Sequence, residues 1–480
     1  MTAQTVTRNT TYLTMSYIWQ KILSFFYFVM VARFIGVENL GKYTFAISFV
    51  TLFSVFVDVG LTQALIRESA KYKEKAQNYL SAALAVKAGL AVLIYITVAV
   101  VINLMNYPEV TIQLVYLAGI AMLFDQFTAT FWGVFRGHQN LKYEAISIAI
   151  NQVVILMVGM TILYLKLPLI YLMLPFICGS LFSLLFSSIS VRRVLKVKYK
   201  FKFDKKILKF LFRIGIPFAL IAIFSRVYGY IDTVMLSKMI GDKAVGWYSV
   251  AMKIPFALQF IPAALAAAIF PAFSRHYLHD KEQLKFTFDR VMKFLVIIVL
   301  PISVGVTVLA EPVILAFYGS EYLPAVLPLQ VLMMGLFFVF LNFPLGSLLN
   351  GCDRQVKNTF LVGITMVLNV ILNIIVIPRY SFVGAAAAFM VSHSFLFVMS
   401  LIIAKQIIPY SKRNLLKVLL RSLVGVAVMG GVLLYLIDSL HFVVLIGLGA
   451  IVYFVVMYLI RGFTKSDVKY FYNIVKNKNG

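Results

Sequence analysis

The chain has 480 residues, of which 62% are hydrophobic and only 13% charged, with a mean hydropathy of +0.93. Soluble domains carry roughly 25% charged residues, so water is excluded as the main solvent. A net charge of +26 would direct a soluble chain toward nucleic acid, but here the basic residues crowd the ends of apolar runs, as loop charges beside a membrane do, and no nucleic-acid partner is expected.

Apolar runs of about 20 residues, enough to cross ~30 Å of hydrocarbon at 1.5 Å per residue, recur along almost the whole length. They are too long for the strands of a membrane barrel, so an all-α integral membrane fold is predicted. The spans fall near residues 11–32, 43–65, 79–102, 112–135, 145–165, 168–190, 211–237, 244–272, 291–318, 324–350, 358–377, 382–404, 415–437 and 442–460, about fourteen transmembrane helices. The first run, from Tyr12 to Val31, is longer than a signal-peptide core and has no small-residue cleavage pattern, so it is expected to stay in the mature chain.

Orientation follows from Lys and Arg. With the amino terminus in the cytoplasm, 34 of the 44 cations lie on cytoplasmic segments, six on external loops and four inside spans. The opposite orientation violates the insertion bias, so both termini are expected in the cytoplasm and the location is the inner (plasma) membrane. The stretch from Arg192 to Arg213, RRVLKVKYKFKFDKKILKFLFR, alternates cations with apolar residues and is expected to lie on the cytoplasmic lipid surface.

An internal repeat divides the chain. VMVARFIGVENLGKYTFA, after the first span, matches VMLSKMIGDKAVGWYSVA, after the seventh, so that Gly36, Gly41, Tyr43 and Ala46 recur at a constant offset as Gly241, Gly246, Tyr248 and Ala251. A looser echo pairs Arg136 to Lys142 with Asn350 to Lys357. Spans 1–6 thus correspond to spans 7–12, and because six is even the two halves run in the same direction. The expected organisation is a six-helix bundle over 1–191, a basic interfacial linker over 192–210, a second six-helix bundle over 211–405, two additional helices over 406–461 and a cytoplasmic tail over 462–480. Parallel halves of this kind are an architecture of alternating-access transporters, with the substrate path near the midplane.

Charges inside spans mark the candidate site. A mid-span cation is disfavoured by about 2.5–3.5 kcal/mol on insertion scales and should face a polar interior. Lys21 and Arg226 are related by the repeat offset, each near the centre of the first helix of its half, and Lys253 is a third such cation. Tyr17, Lys21 and Ser24 share one helical stripe, Arg226 and Thr233 another, and Thr51 and Asp58 a third. Several cations at a midplane suit an anion, phosphate groups above all, and these three are the expected substrate-binding residues. Asp58, Asp125, Asp232 and Glu311 are candidates for ion coupling, with structural pairing, Asp58 with Lys87 for instance, as the other reading of each. Pro255, Pro262 and Pro271 in the eighth span are expected to bend it. Cys178 and Cys352 lie on segments that this topology does not bring together; no disulfide and no metal site are expected.

The stretch from Ala32 to Ala70, with Asp58, Gly60, Leu61, Arg67 and Glu68, and the stretch from Leu309 to Leu332, LAEPVILAFYGSEYLPAVLPLQVL, resemble the polysaccharide-biosynthesis (Wzx-type) flippases of the multidrug/oligosaccharidyl-lipid/polysaccharide exporter superfamily. The resemblance covers essentially the whole chain. It implies a V-shaped two-bundle exporter fold with a cationic cavity, a polyprenyl-diphosphate-linked oligosaccharide as substrate, membrane lipids as surroundings, and glycan polymerase or glycosyltransferase machinery as working partners. A peptidoglycan-precursor (lipid II) flippase, an ion-coupled multidrug exporter and a non-transporting membrane scaffold remain open alternatives. No Walker A loop, GxSxG or HExxH is present, so neither an enzyme nor a bound cofactor is expected.

Overall fold

A computed structural model of the chain describes residues 3–463 apart from residue 202. All regular structure among the described residues is helical: α1 (Ala3–Asp58), α2 (Leu61–Lys71), α3 (Ala76–Leu104), α4 (Glu109–Gly137), α5 (Lys142–Tyr164), α6 (Leu174–Arg193), α7 (Lys205–Met239), α8 (Asp242–Leu258), α9 (Phe260–His279), α10 (Lys281–Val308), α11 (Ala310–Tyr318), α12 (Val326–Gly351), α13 (Gln355–Lys405), α14 (Lys412–Leu436) and α15 (Phe442–Leu459).

Twelve helical stretches among the described residues are long and apolar enough to cross a membrane, two fewer than the predicted spans. The difference lies in α1 and α13, of 56 and 51 residues. At 1.5 Å per residue either helix is more than twice as long as a hydrocarbon layer is thick, so neither crosses as one rod. Each is interrupted once, α1 at Gly36 (φ 74°, ψ 170°) and α13 at Ser381 (φ 53°, ψ −135°). Each therefore contains two of the predicted crossings, with the chain reversing at one residue instead of through a loop.

The repeat is visible in the backbone. Gly241, the partner of Gly36, also has positive φ (118°), and it separates α7 from α8 as Gly36 separates the two arms of α1. A Cβ at Gly41 would lie 1.9 Å from the Asp242 carbonyl oxygen, and one at Gly246 would lie 2.1 Å from the Val37 carbonyl oxygen. Val37 and Asp242 are themselves repeat partners, so the two contacts are reciprocal.

The eighth predicted span is divided at Gln259 into α8 and α9. Pro262 explains the position: it has no N–H for the carbonyl of Leu258, and its ring crowds that carbonyl, so α8 ends there. Glu311, expected within the ninth span, lies beyond the end of α10, in the first turn of the short α11.

The described residues form two compact units, one up to Gly246 and one from Trp247 onward. In the first, α7 packs along α1 and α2 although it follows the basic linker in the chain. Chain order and packing thus place boundaries at different points. The corner between α1 and α2 holds this arrangement. Val59 (φ 42°) and Gly60 (φ 76°) are successive left-handed residues, and a Cβ on Gly60 would fall 2.1 Å from the Gly215 carbonyl oxygen of α7. Behind the corner, Leu61, Leu65, Leu80, Phe135, Val197 and Leu211 belong to one buried apolar cluster that joins α2, α3, α4, the linker and α7. In the second unit α10 and α12 form the core, and the Tyr453 hydroxyl of α15 donates 2.9 Å to the Ile297 carbonyl of α10. That bond ties the last helix to the core of its unit.

Candidate functional site

Lys21 lies half-buried on the first arm of α1, with Ser24 half-buried one turn on and Tyr17 exposed one turn back. Tyr17 borders an ion pair that the sequence reading did not single out. Arg136, in the last turn of α4, grips Glu144, in the first turn of α5, through Nε (3.0 Å to Oε2) and Nη2 (2.5 Å to Oε1), and the Tyr17 hydroxyl neighbours the guanidinium. Glu144 is buried, and its charge also suits a helix N-terminus. The sequence offered one signal: an acid within the basic turn between two spans, eight residues from an arginine.

Arg226 is exposed on α7. Counting at 1.5 Å per residue, it lies about 32 Å from Lys205 at the start of that helix and about 18 Å from Lys238 near its end, so it is deep in an apolar segment and far from either polar boundary. Two turns further, Asp232 and Thr233 are buried, and Tyr228 lies close enough to Asp232 for their charges to interact. Lys253 is half-buried on α8 and belongs to the second unit, as does Glu311, which is exposed. Lys21, Arg226, Asp58, Asp125 and Asp232 all belong to the first.

Asp58 is the last residue of α1, and the structure pairs it with Lys87 of α3. The Lys87 ammonium is completely buried; it also donates to the Thr62 hydroxyl (2.8 Å) and the Gln126 carbonyl (3.2 Å). Its three donors are thereby satisfied. Thr62 completes the group, donating its N–H (3.2 Å) and its hydroxyl to Asp58. At the repeat offset the two charged positions are occupied by Ala263 and Met292, so only the first half carries this pair. Asp125 is different: the residue keeps exposed surface on α4, but protein atoms surround its carboxyl, with Ser180 of α6 beside it. Thr51 donates to the Ile47 carbonyl of its own helix at 2.6 Å.

Chemically, the first unit carries two classes of charge. Asp58 with Lys87 and Arg136 with Glu144 are internally neutralised. Arg226 is accessible at a depth where lipid is the alternative environment. Charge exposed there requires water or a polar ligand.

Residues 6–276 match the polysaccharide biosynthesis protein family, and residues 217–375 match the MatE family. The chain is 22% identical over 398 residues to the capsular polysaccharide biosynthesis protein CapF of Staphylococcus aureus, covering 80% of this chain and 96% of that one. It is 24% identical over 368 residues to a putative O-antigen transporter of Shigella flexneri, covering 74% and 87%. Among solved structures it superimposes on the lipid II flippase MurJ in an inward closed conformation with a TM-score of 0.78 at 19% identity, covering 93% of this chain and 98% of that one. With the first of these matches extending over more than half of its length, the chain belongs to the polysaccharide biosynthesis protein family and is a multi-pass membrane protein of the multidrug/oligosaccharidyl-lipid/polysaccharide exporter fold.

Proposed function

We propose that the protein is a flippase that carries a polyprenyl-diphosphate-linked oligosaccharide from the inner to the outer leaflet of the plasma membrane, for cell-surface polysaccharide assembly. The observation that carries this reading is Arg226: a guanidinium exposed at mid-helix, in a family whose relatives include a capsular polysaccharide biosynthesis protein and a putative O-antigen transporter. A cation exposed at that depth requires water or a polar ligand, and a diphosphate offers several anionic oxygens for charge-assisted hydrogen bonds. Lys21, half-buried on α1 of the same unit, is the further cation assigned to it. Both termini face the cytoplasm, where the glycosyltransferases that load the carrier lipid work. Among the acids proposed for ion coupling, Asp125 has Ser180 beside it and Glu311 is exposed, whereas Asp58 is held by Lys87.

The test uses the full chain reconstituted into vesicles with a fluorescent polyprenyl-diphosphate glycan, whose transfer between leaflets is followed by membrane-impermeant quenching. The wild type is expected to accelerate transfer, and the Lys21→Ala, Arg226→Ala double variant to abolish the acceleration while inserting normally. Equal rates for the two proteins would remove the diphosphate assignment. Superposition on MurJ favours a second reading in which the carried head group is a peptidoglycan precursor. Running lipid II beside the oligosaccharide in the same assay separates the two by which one is moved faster.

A further inference from the structure

The segment between α6 and α7, residues 194–204, contains no helix among its described residues, and its side chains alternate from Leu195 to Lys200. Leu195, Val197 and Tyr199 turn toward the first unit: Val197 is buried in the apolar cluster that includes Leu80 and Leu211, and the Tyr199 ring packs 5.1 Å from Phe131. The Tyr199 hydroxyl meets Ser188 at 2.5 Å, and the Lys200 N–H donates to Ser81 at 3.2 Å. The segment is therefore a strap fastened across the end of the bundle. Its other face has a different chemistry. Lys196, Lys198 and Lys200 are exposed, Lys205, Lys206 and Lys209 continue the exposed cations along the first turns of α7, and Phe201 and Phe203 are 66% and 71% exposed among them. The nearby acid, Asp204, caps α7 by accepting from the Lys206 and Ile207 N–H groups.

We propose that this outer face of the strap docks on the acidic phospholipid headgroups of the adjoining leaflet, with the Phe201 and Phe203 rings inserted at the interface. The assignment does not depend on what the protein transports. Eleven residues join two membrane-crossing helices, and the inward side chains hold the strap against the bundle end. It thus stays at the level where α6 leaves and α7 enters the membrane. Cations beside apolar rings at that level match a surface that is negative outside and apolar just beneath. The match differs from an amphipathic helix: exposed lysines alternate with inward residues from Leu195 to Lys200, and the exposed rings of Phe201 and Phe203 follow them.

The experiment places an environment-sensitive fluorophore at Phe203→Cys in the Cys178→Ser full chain, reconstituted in vesicles of phosphatidylcholine with or without phosphatidylglycerol. With phosphatidylglycerol, the emission is expected to shift to the blue and to be quenched by a lipid carrying a nitroxide at its headgroup. In phosphatidylcholine alone both effects should shrink, as they should at about 1 M salt, where the Debye length is about 3 Å. The Lys196→Gln, Lys198→Gln, Lys200→Gln variant is expected to behave in mixed vesicles as the parent does in neutral ones. Water-like emission in both vesicles would overturn the proposal and leave an acidic protein as the partner. Equal quenching in both, insensitive to salt, would overturn the acidic-lipid assignment. The lipid and salt arms need no lysine variant, so a folding defect in that variant leaves the test intact.

Discussion

Lys87 is the residue whose environment is most demanding. Its ammonium is wholly enclosed, and Asp58 is the carboxylate that neutralises it. Removing one partner of such a pair leaves an uncompensated buried charge, at a cost of about 3–5 kcal/mol, whereas replacing both with apolar groups is often neutral. Asp58→Ala is therefore expected to lower the melting temperature of the detergent-solubilised protein markedly. Asp58→Ala with Lys87→Met, which installs the residues found at the repeat-related positions Ala263 and Met292, should recover most of the loss. An unchanged melting temperature in the single variant would show that Lys87 finds another counter-charge. Cysteine reactivity gives a second check at this scale. Cys178 is exposed, whereas Cys352 is buried in the turn before α13, and burial, with Asp353 beside it, pushes that thiol up to about 11. A raised thiol pKa leaves little thiolate at neutral pH, so alkylation should modify Cys178 alone near pH 7 and reach Cys352 only as the pH approaches 11. Equal labelling at pH 7 would show that the turn opens. Sequence patterning could name Asp58 and Lys87 as a possible pair, since both are charges in apolar runs. It could not find the Thr62 and Gln126 contacts that satisfy them, because those depend on where α1, α3 and α4 meet.

At the scale of elements, glycines separate positions where space is required from positions where it is not. Gly60 combines a left-handed backbone with a Cβ path blocked by the Gly215 carbonyl, and neither neighbour is a flexible side chain. Gly229, on α7, has nothing within 4 Å of its Cβ position among the described residues. Gly60→Ala is expected to reduce the yield of folded protein sharply. Gly229→Ala should be tolerated or slightly stabilising, since alanine gains about 1 kcal/mol over glycine inside a helix. Comparable yields for the two variants, read by size-exclusion chromatography, would contradict the tight α2–α7 corner. The crossings themselves were legible from apolar run length. What could not be read was that two pairs of crossings join through single residues, Gly36 and Ser381, since a polar residue between apolar runs looks the same in a loop and in a one-residue reversal.

For the whole molecule, the distribution of lysine and arginine makes the orientation testable. A cysteine introduced at Lys198→Cys in the Cys178→Ser background should react with an impermeant thiol reagent only after cells are opened, and Lys166→Cys, in the loop between α5 and α6, should react in intact cells. The reverse pattern would invert the topology. The duplication was legible because glycine and tyrosine positions survive at a constant offset. The packing boundary at Gly246 was not, since it depends on which helices α7 touches and not on where it lies in the chain.

The paired contacts of Gly41 with Asp242 and of Gly246 with Val37 resemble an interface between identical subunits more than an ordinary helix crossing. When a patch meets its own copy across a two-fold axis, residue i touches residue j and residue j touches residue i. That reciprocity persists here within one polypeptide. A single-copy ancestor able to dimerise through this patch would have carried the crossing before fusion, with one glycine substitution then striking both sides of the joint at once. In one polypeptide the two sides can be substituted separately. The halves do differ elsewhere, with Asp58 and Lys87 in one and Ala263 and Met292 in the other, while a glycine stands on both sides of the joint.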